Sequence, residues 1–223
     1  GPSHGYFTPF DQVPQNLINS ILVNEDPSFF YHNGFIPEAI RESIAENYRA
    51  KRFKRGGSTI SMQLIKNVFL GREKTILRKA EEALLVWLIE SNRITDKQRM
   101  FEVYLNIIEW APGIYGIGEA SAFYFNKKPA QLTLSECLLL ANLIPRPKAF
   151  RYFFEDANQL KEWVMDKSKF AASRMVLKEM LNSNDTLNLD YNVKLSGIAA
   201  GFITPKDTIE SDSTILIEPD LLD

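Results

Sequence analysis

The chain has a single cysteine, two histidines, three tryptophans and no long apolar run among its 223 residues. Each shortage excludes something. One cysteine, Cys137, cannot form an internal disulfide, and its place in the apolar run CLLLANLI reads as a small core residue rather than a nucleophile. Two histidines, His4 and His32, cannot build a multi-histidine metal site. No stretch approaches the roughly 18 to 20 apolar residues needed to span a bilayer, and no signal-peptide pattern is visible. Charge of one sign is also missing. Lysine plus arginine number 26 against 28 acidic residues, for a formal charge of -2 and a pI near 5.8, which argues against nucleic-acid binding by bulk electrostatics. Alternation of period two is nearly absent before residue 186. What is present is a 45% hydrophobic chain long enough for one large domain or two small ones, with apolar spacing near four residues from end to end. The class is mainly α.

Leu17, Ile18, Ile21 and Leu22 mark a first helix, and Ile40, Ile44 and Tyr48 a second that starts at Pro37. Residues 95–110 open with Thr95 and Gln98 in capping-box spacing and carry Met100, Phe101, Tyr104, Leu105 and Ile108 on one face. Thr133 and Glu136 repeat that signature before LSECLLLANLI, which ends at Pro145. GIYGIG, residues 113–118, reads as a glycine-punctuated loop, and a last long helix is expected over 158–181. Beyond Asn182, the alternating TLNLDYNVKL suggests a weak hairpin followed by an acidic tail. The domain is placed at 6–182, with a weakly structured or β-containing extension at 183–223. The opening GPSHG reads as an expression scar, with any membrane anchor lying upstream of it.

The stretch NEDPSFFYHNGF, residues 24–35, sets two adjacent carboxylates among aromatics. Asp26 followed by Pro27 resembles a helix start, with Asp as N-cap. Glu25 beside aromatics would be partly desolvated, and desolvation raises a carboxyl pKa into the range where proton exchange is useful. A solvated turn fits the stretch as well. Further on, RAKRFKRGGST (49–59) is a basic run closing on two glycines and two hydroxyls, without the GxxxxGK[ST] pattern of a nucleotide-binding loop. In STISMQLIKNVFL, read at helical spacing, Gln63, Lys66 and Asn67 fall on one arc, opposite Leu64, Ile65, Val68 and Phe69. In TILRKAEEALLVWLIE, Arg78 and Lys79 lie four and three residues from Glu82, while Leu77, Leu84 and Leu88 point elsewhere. Each face alone reads as structure, the second as a surface ion-pair ladder. Together they offer two carboxylates and a cluster of donors suited to a phosphate-bearing ligand. Moving a sugar from a pyrophosphate needs a base and positive charge for the leaving group, whereas cleaving an ordinary glycosidic bond needs a paired acid and base.

These residues resemble glycosyltransferase family 51, the peptidoglycan transglycosylase domain of class A penicillin-binding proteins and of stand-alone monofunctional transglycosylases. The first motif of that family is matched by Glu25, Asp26, Phe29, His32 and Gly34. The second is matched by Gly56, Gly57, Ser58, Thr59, Ile60, Gln63, Lys66 and Asn67, the third by Arg78, Lys79 and Glu82, and the fourth by RMFEVYLN, residues 99–106. EWAPGIYGIGEASAFYF is similar to the monofunctional members in particular. Glu81 beside Glu82, and Ala111 where a glycine is common, depart from the pattern, and residues 150–223 match weakly.

The resemblance implies a lysozyme-like fold, with a large helical lobe, a smaller membrane-facing lobe and a groove between them. It implies inverting transfer that polymerises lipid II and releases undecaprenyl pyrophosphate. Glu25 would be the general base and Glu82 would assist at the donor side. Ser58, Thr59, Gln63, Lys66, Asn67, Arg78 and Lys79 would hold pyrophosphate and sugar, while Asp26, Phe29, His32 and Gly34 shape the loop around Glu25. A divalent cation, Mg or Mn, bridging the pyrophosphate is compatible with this chemistry, but no metal ligands are assigned. The expected partners are lipid II, the lipid-linked glycan strand, the membrane surface and cell-wall synthesis proteins. The expected location is the periplasmic face of the bacterial cytoplasmic membrane, with the basic run and residues 35–53 touching anionic lipid; the basic run reads equally as a mobile loop that closes on substrate. A lysozyme-like hydrolase of glycan strands and a silent peptidoglycan-binding module are the alternatives.

Overall fold

The computed structural model describes residues 7–51, 57–69 and 76–203, with only the backbone of 39, 44, 47 and 76–78. Arg52, Phe53, Lys54, Arg55 and Gly56 of the basic run, the side chains of Ile44, Leu77 and Arg78, and the acidic tail therefore lie outside the described residues. The fold is mainly α. Its centre is α1 (Gln15–Glu25), which starts after Pro14 and buries every residue from Leu17 to Val23. It is buried nearly all round because it lies between two other helices, α7 (Leu134–Leu143) and α8 (Glu162–Leu177). Its buried polar groups are satisfied: the Asn19 amide donates to the Met180 carbonyl (2.9 Å) and the Ser20 hydroxyl to the Asn16 carbonyl (2.7 Å).

Around this centre, α5 (Lys97–Ile107) and α6 (Ile117–Phe125) complete a large core containing Phe29, Phe101, Tyr104, Trp110, Tyr124 and Phe150. A smaller unit is formed by α3 (Ile60–Phe69) and α4 (Ile76–Ser91), with α2 (Pro37–Ala50) preceding them in the chain. It has its own apolar cluster, in which Met62 and Ile65 of α3 meet Val86 of α4, flanked by Phe35 and Leu85. Leu64 instead enters the large core beside Ile60, so α3 links the two units.

Several local expectations change. The cap of α5 is Asp96, one residue after Thr95, and its carboxylate accepts the Arg99 N–H at 2.7 Å. The capping box at Thr133 and Glu136 forms as expected. The glycine-rich stretch at 113–118 is half of a short hairpin, β1 (Glu109–Ala111) paired antiparallel with β2 (Ile114–Tyr115), before α6 begins. A second small hairpin, β3 (Phe154–Asp156) with β4 (Gln159–Leu160), delays the start of α8 to Glu162.

The expected hairpin within 186–195 does not form. That segment runs without strand partners and is stitched to the body by isolated bonds. Ser135 donates to the Asp190 carbonyl, Leu195 N–H to Ala157, and both Ser196 and Gly197 N–H groups to Tyr124. Its alternation of apolar residues serves the core of the whole protein, because Val193 and Leu195 are buried in the main cluster. Gly197 lies so close to α6 that a Cβ there would sit 2.3 Å from the Phe123 carbonyl oxygen. On α3, Val68 and Phe69 are 47% and 58% exposed rather than facing the core, and on α4 Leu84, Trp87 and Leu88 are exposed as well.

Candidate active site

Glu25 is the last residue of α1 and is half-buried. Its Oε2 accepts a hydrogen bond from Gln63 Nε2 at 2.8 Å, and the oxygen of the same Gln63 amide accepts one from the Tyr104 hydroxyl at 3.1 Å. Burial pushes the Glu25 carboxyl above its usual range; the Gln63 bond and the charge of Lys167 on α8 pull it back, and Asp26 pushes it up again. Lys167 is lowered by burial, raised by Glu25 and lowered by Arg146. A carboxylate so placed, raised but still approached by a cation and an amide donor, is suited to accepting a proton.

Asp26 does not start a helix. It closes α1, and Pro27 stands just beyond, where helices commonly stop. Its carboxylate, 1% exposed, turns instead to the head of α3, where Oδ2 accepts the Ile60 N–H at 3.0 Å. The same carboxylate meets His32 Nε2 at 2.9 and 3.1 Å. Because the Gly34 N–H donates to His32 Nδ1 at 2.9 Å, the ring hydrogen facing Asp26 sits on Nε2. Gly34 has φ +86°, a conformation natural to glycine, and its carbonyl accepts the Thr59 hydroxyl at 2.6 Å. Thr59 Oγ1 in turn accepts the Met62 N–H at 3.2 Å, capping α3.

Hydrogen bonds thus join Glu25, Asp26, His32, Gly34, Thr59 and Gln63 into one network around the head of α3. Phe29, fully buried, supports it from below, with the Lys97 ammonium 4.5 Å from its ring centroid. Lys97 also bonds Glu90 Oε1 at 2.5 Å, and the buried Ser61 hydroxyl bonds that oxygen at 2.6 Å, which ties α3, α4 and α5 together. Ser58, Lys66 and Asn67 stand exposed outside this network, open to a ligand. Glu82 is only 2% exposed and is held at 2.6 Å by the half-exposed Lys79, which rules out a solvated ladder for that pair. Among the described residues, no three or more His, Cys, Asp or Glu side chains gather as metal ligands.

Three contributors were not legible in the sequence as site residues. Tyr104 reads there as an apolar member of a helix face, and Lys167 has no motif around it. The third is a buried link: Asn24 Nδ2 donates to Asn142 Oδ1 at 3.1 Å, and Asn142 Nδ2 to Ser168 Oγ at 2.9 Å. This link locks the last turn of α1 to α7 and α8 beside Lys167.

Comparison with known proteins agrees with the motif pattern. A family model described as Transglycosylase matches residues 2–180. The chain is 36% identical to a biosynthetic peptidoglycan transglycosylase of Paraburkholderia xenovorans (strain LB400), covering 78% of this chain and 70% of the relative. It is 35% identical to one of Paraburkholderia phytofirmans, over 77% and 68%, and 34% identical to one of Burkholderia cenocepacia (strain HI2424), over 79% and 69%. With the motifs in order and a match extending over most of its length, the chain belongs to the transglycosylase family.

Proposed function

We propose that this chain performs peptidoglycan glycosyl transfer with Glu25 as its general base. The activity follows from family membership and the names of its relatives, and it places the enzyme's work outside the cytoplasm, on lipid II and growing glycan strands. In the proposed step, Glu25 takes the proton of the acceptor sugar 4-hydroxyl while that oxygen attacks the anomeric carbon of the lipid-linked chain. The bond to pyrophosphate breaks with inversion, and undecaprenyl pyrophosphate leaves with the electron pair. The observation that carries the reading is the state of Glu25, a carboxylate raised by burial yet held by one amide donor, at the junction of the two helical units. Lys66 and Lys79, exposed on α3 and α4, supply cationic charge for the leaving group, with Arg78 one residue before Lys79 in the chain. Ser58 and Asn67 add donors, and Glu82 holds Lys79 in place at the donor side.

The smaller unit also supports a lipid-facing role. Val68, Phe69, Leu84, Trp87, Leu88 and Tyr48 are all exposed on α2, α3 and α4, large apolar side chains suited to lying against lipid. No helix among the described residues is long and apolar enough to cross a membrane, so the reading is contact with the bilayer surface.

The test is Glu25→Gln incubated with labelled lipid II and the products separated by size. The amide keeps the shape but cannot take a proton, so polymer formation should fall by about 10² to 10⁴-fold with the thermal transition intact. Substantial polymer from the folded variant removes Glu25 from the role. Short fragments from preformed strands, made by the parent protein, would instead indicate a hydrolase.

A further inference from the structure

We propose that Tyr104 is a positioning residue that fixes the orientation of the Gln63 amide and, through it, keeps Glu25 ionised. The proposal rests on three buried groups in series. The Tyr104 ring is completely enclosed, and burial, with the charges of Glu25 and Asp26, pushes its hydroxyl well above the ordinary tyrosine range, so it holds its proton and donates. Its acceptor is Gln63 Oε1, at 3.1 Å. With that oxygen engaged, the only end of the amide left for Glu25 is Nε2, which donates to the carboxylate at 2.8 Å.

The opposite orientation fails at both ends. It would turn Gln63 Oε1 toward the Glu25 carboxylate, two acceptors facing each other. It would also leave the buried Tyr104 proton without its acceptor, since an NH₂ group has no lone pair to offer. An isolated Gln63 amide would be free to follow the protonation of Glu25, donating to the carboxylate and accepting from the acid. The fixed phenol removes that freedom and biases the pair toward the carboxylate, the form a base requires.

Other groups act on Glu25 from the elements around it. Asp26, at the end of α1, opposes ionisation; Lys167, on α8, favours it; Arg146, in the turn after α7, works through Lys167. Tyr104 differs from these because it carries no charge and reaches Glu25 through one side chain. It therefore touches no substrate atom in this reading, and its effect should appear in the ionisation of Glu25 rather than in substrate affinity.

Tyr104→Phe removes one oxygen and keeps the ring. The direct readout is the Glu25 carboxyl carbon, followed by NMR in protein carrying ¹³C-labelled glutamate and assigned by its loss in Glu25→Gln. Lys167→Met, which removes a neighbouring cation, serves as the positive control. In Tyr104→Phe the Glu25 midpoint should move upward by about 0.4 to 1 pH unit, the shift equivalent to one ordinary hydrogen bond. In a Gln63→Ala background the same substitution should move it no further, because Tyr104 then has nothing to orient. The acid limb of the polymerisation rate should follow the midpoint, with the KM for lipid II unchanged.

An unmoved midpoint in Tyr104→Phe, or an equal shift with and without Gln63, overturns the proposal. The proposal rests on Glu25 being the base only for its effect on rate. A midpoint that moves while the pH-rate profile stays fixed upholds the positioning role and defeats the base assignment instead. Should Tyr104→Phe fail to fold, the parent protein still decides. The Gln63 side-chain amide protons should keep one bonding partner throughout the titration of Glu25, and exchange between two orientations as Glu25 protonates would refute the fixed amide.

Discussion

Asp26→Ala should be among the most damaging single substitutions near the site, although Asp26 performs no chemistry. Its carboxylate is 1% exposed and serves two donors on different segments, the Ile60 N–H at the head of α3 and His32 Nε2 on the loop. Alanine leaves both donors without a partner. Ile60 is fully buried and the His32 side chain is 10% exposed, so water reaches neither easily. Each stranded donor costs about 1–3 kcal/mol, and a negative charge lost from a helix N-terminus costs a further ~0.3–1 kcal/mol. The expected loss is about 4 kcal/mol, a large part of the ~5–15 kcal/mol that stabilises an ordinary domain. In urea, with m of about 2.5 kcal/mol per molar, the midpoint should fall by roughly 1.5 M at unchanged m. Asp26→Asn keeps one oxygen for the Ile60 N–H and should lose about half as much. Hydrogen exchange should accelerate first at Ile60 and Met62, because α3 loses its remote cap before the large core opens. A loss of about 1 kcal/mol or less for Asp26→Ala, or equal losses for alanine and asparagine, would refute the view that this carboxylate clamps α3 to the end of α1.

Glu25→Gln should also report on stability. The native carboxyl is raised above its unfolded value, so the native state holds the proton more tightly, and the stability it contributes is complete at acid pH and lost as pH rises through the folded midpoint. The variant should therefore gain in thermal midpoint relative to the parent between pH 4 and pH 7; a difference that is constant or shrinks with pH would contradict the desolvation of Glu25. Gly197→Ala should cost about 1–3 kcal/mol, toward the upper end because the added carbon meets the backbone oxygens of Phe123 and Ala122 at 2.3 and 2.5 Å. Chemical denaturation that finds this variant within ~0.5 kcal/mol of the parent would mean that residues 187–203 are not firmly attached to α6.

The sequence by itself determined the helical class, the start of α2 at Pro37, the capping box of α7 and the residues worth testing, because all of these depend on spacing within one segment. A helix face is set by residues three and four apart, and the motifs around Glu25, Gln63 and Glu82 are short enough to be read in order. Partners across segments were decided only by the tertiary structure. Asp26 and Pro27 read locally as a helix start, yet the carboxylate caps a helix whose first residue is Ile60, and nothing at 26 or 60 alone encodes that meeting. The alternation at 186–195 has the period of a strand, but only Val193 and Leu195 are buried against the body of the protein, Leu187 is exposed, and no strand among the described residues pairs with the segment. Val68 and Phe69 have the apolarity of core residues but lie at the end of α3, past the contacts made by Met62, Leu64 and Ile65, and stand exposed there. Tyr104 shows the division most clearly. Periodicity assigns its ring to the core, correctly, while the position of its hydroxyl against Gln63 depends on how α3 and α5 pack, a relation between segments 41 residues apart that no local pattern carries.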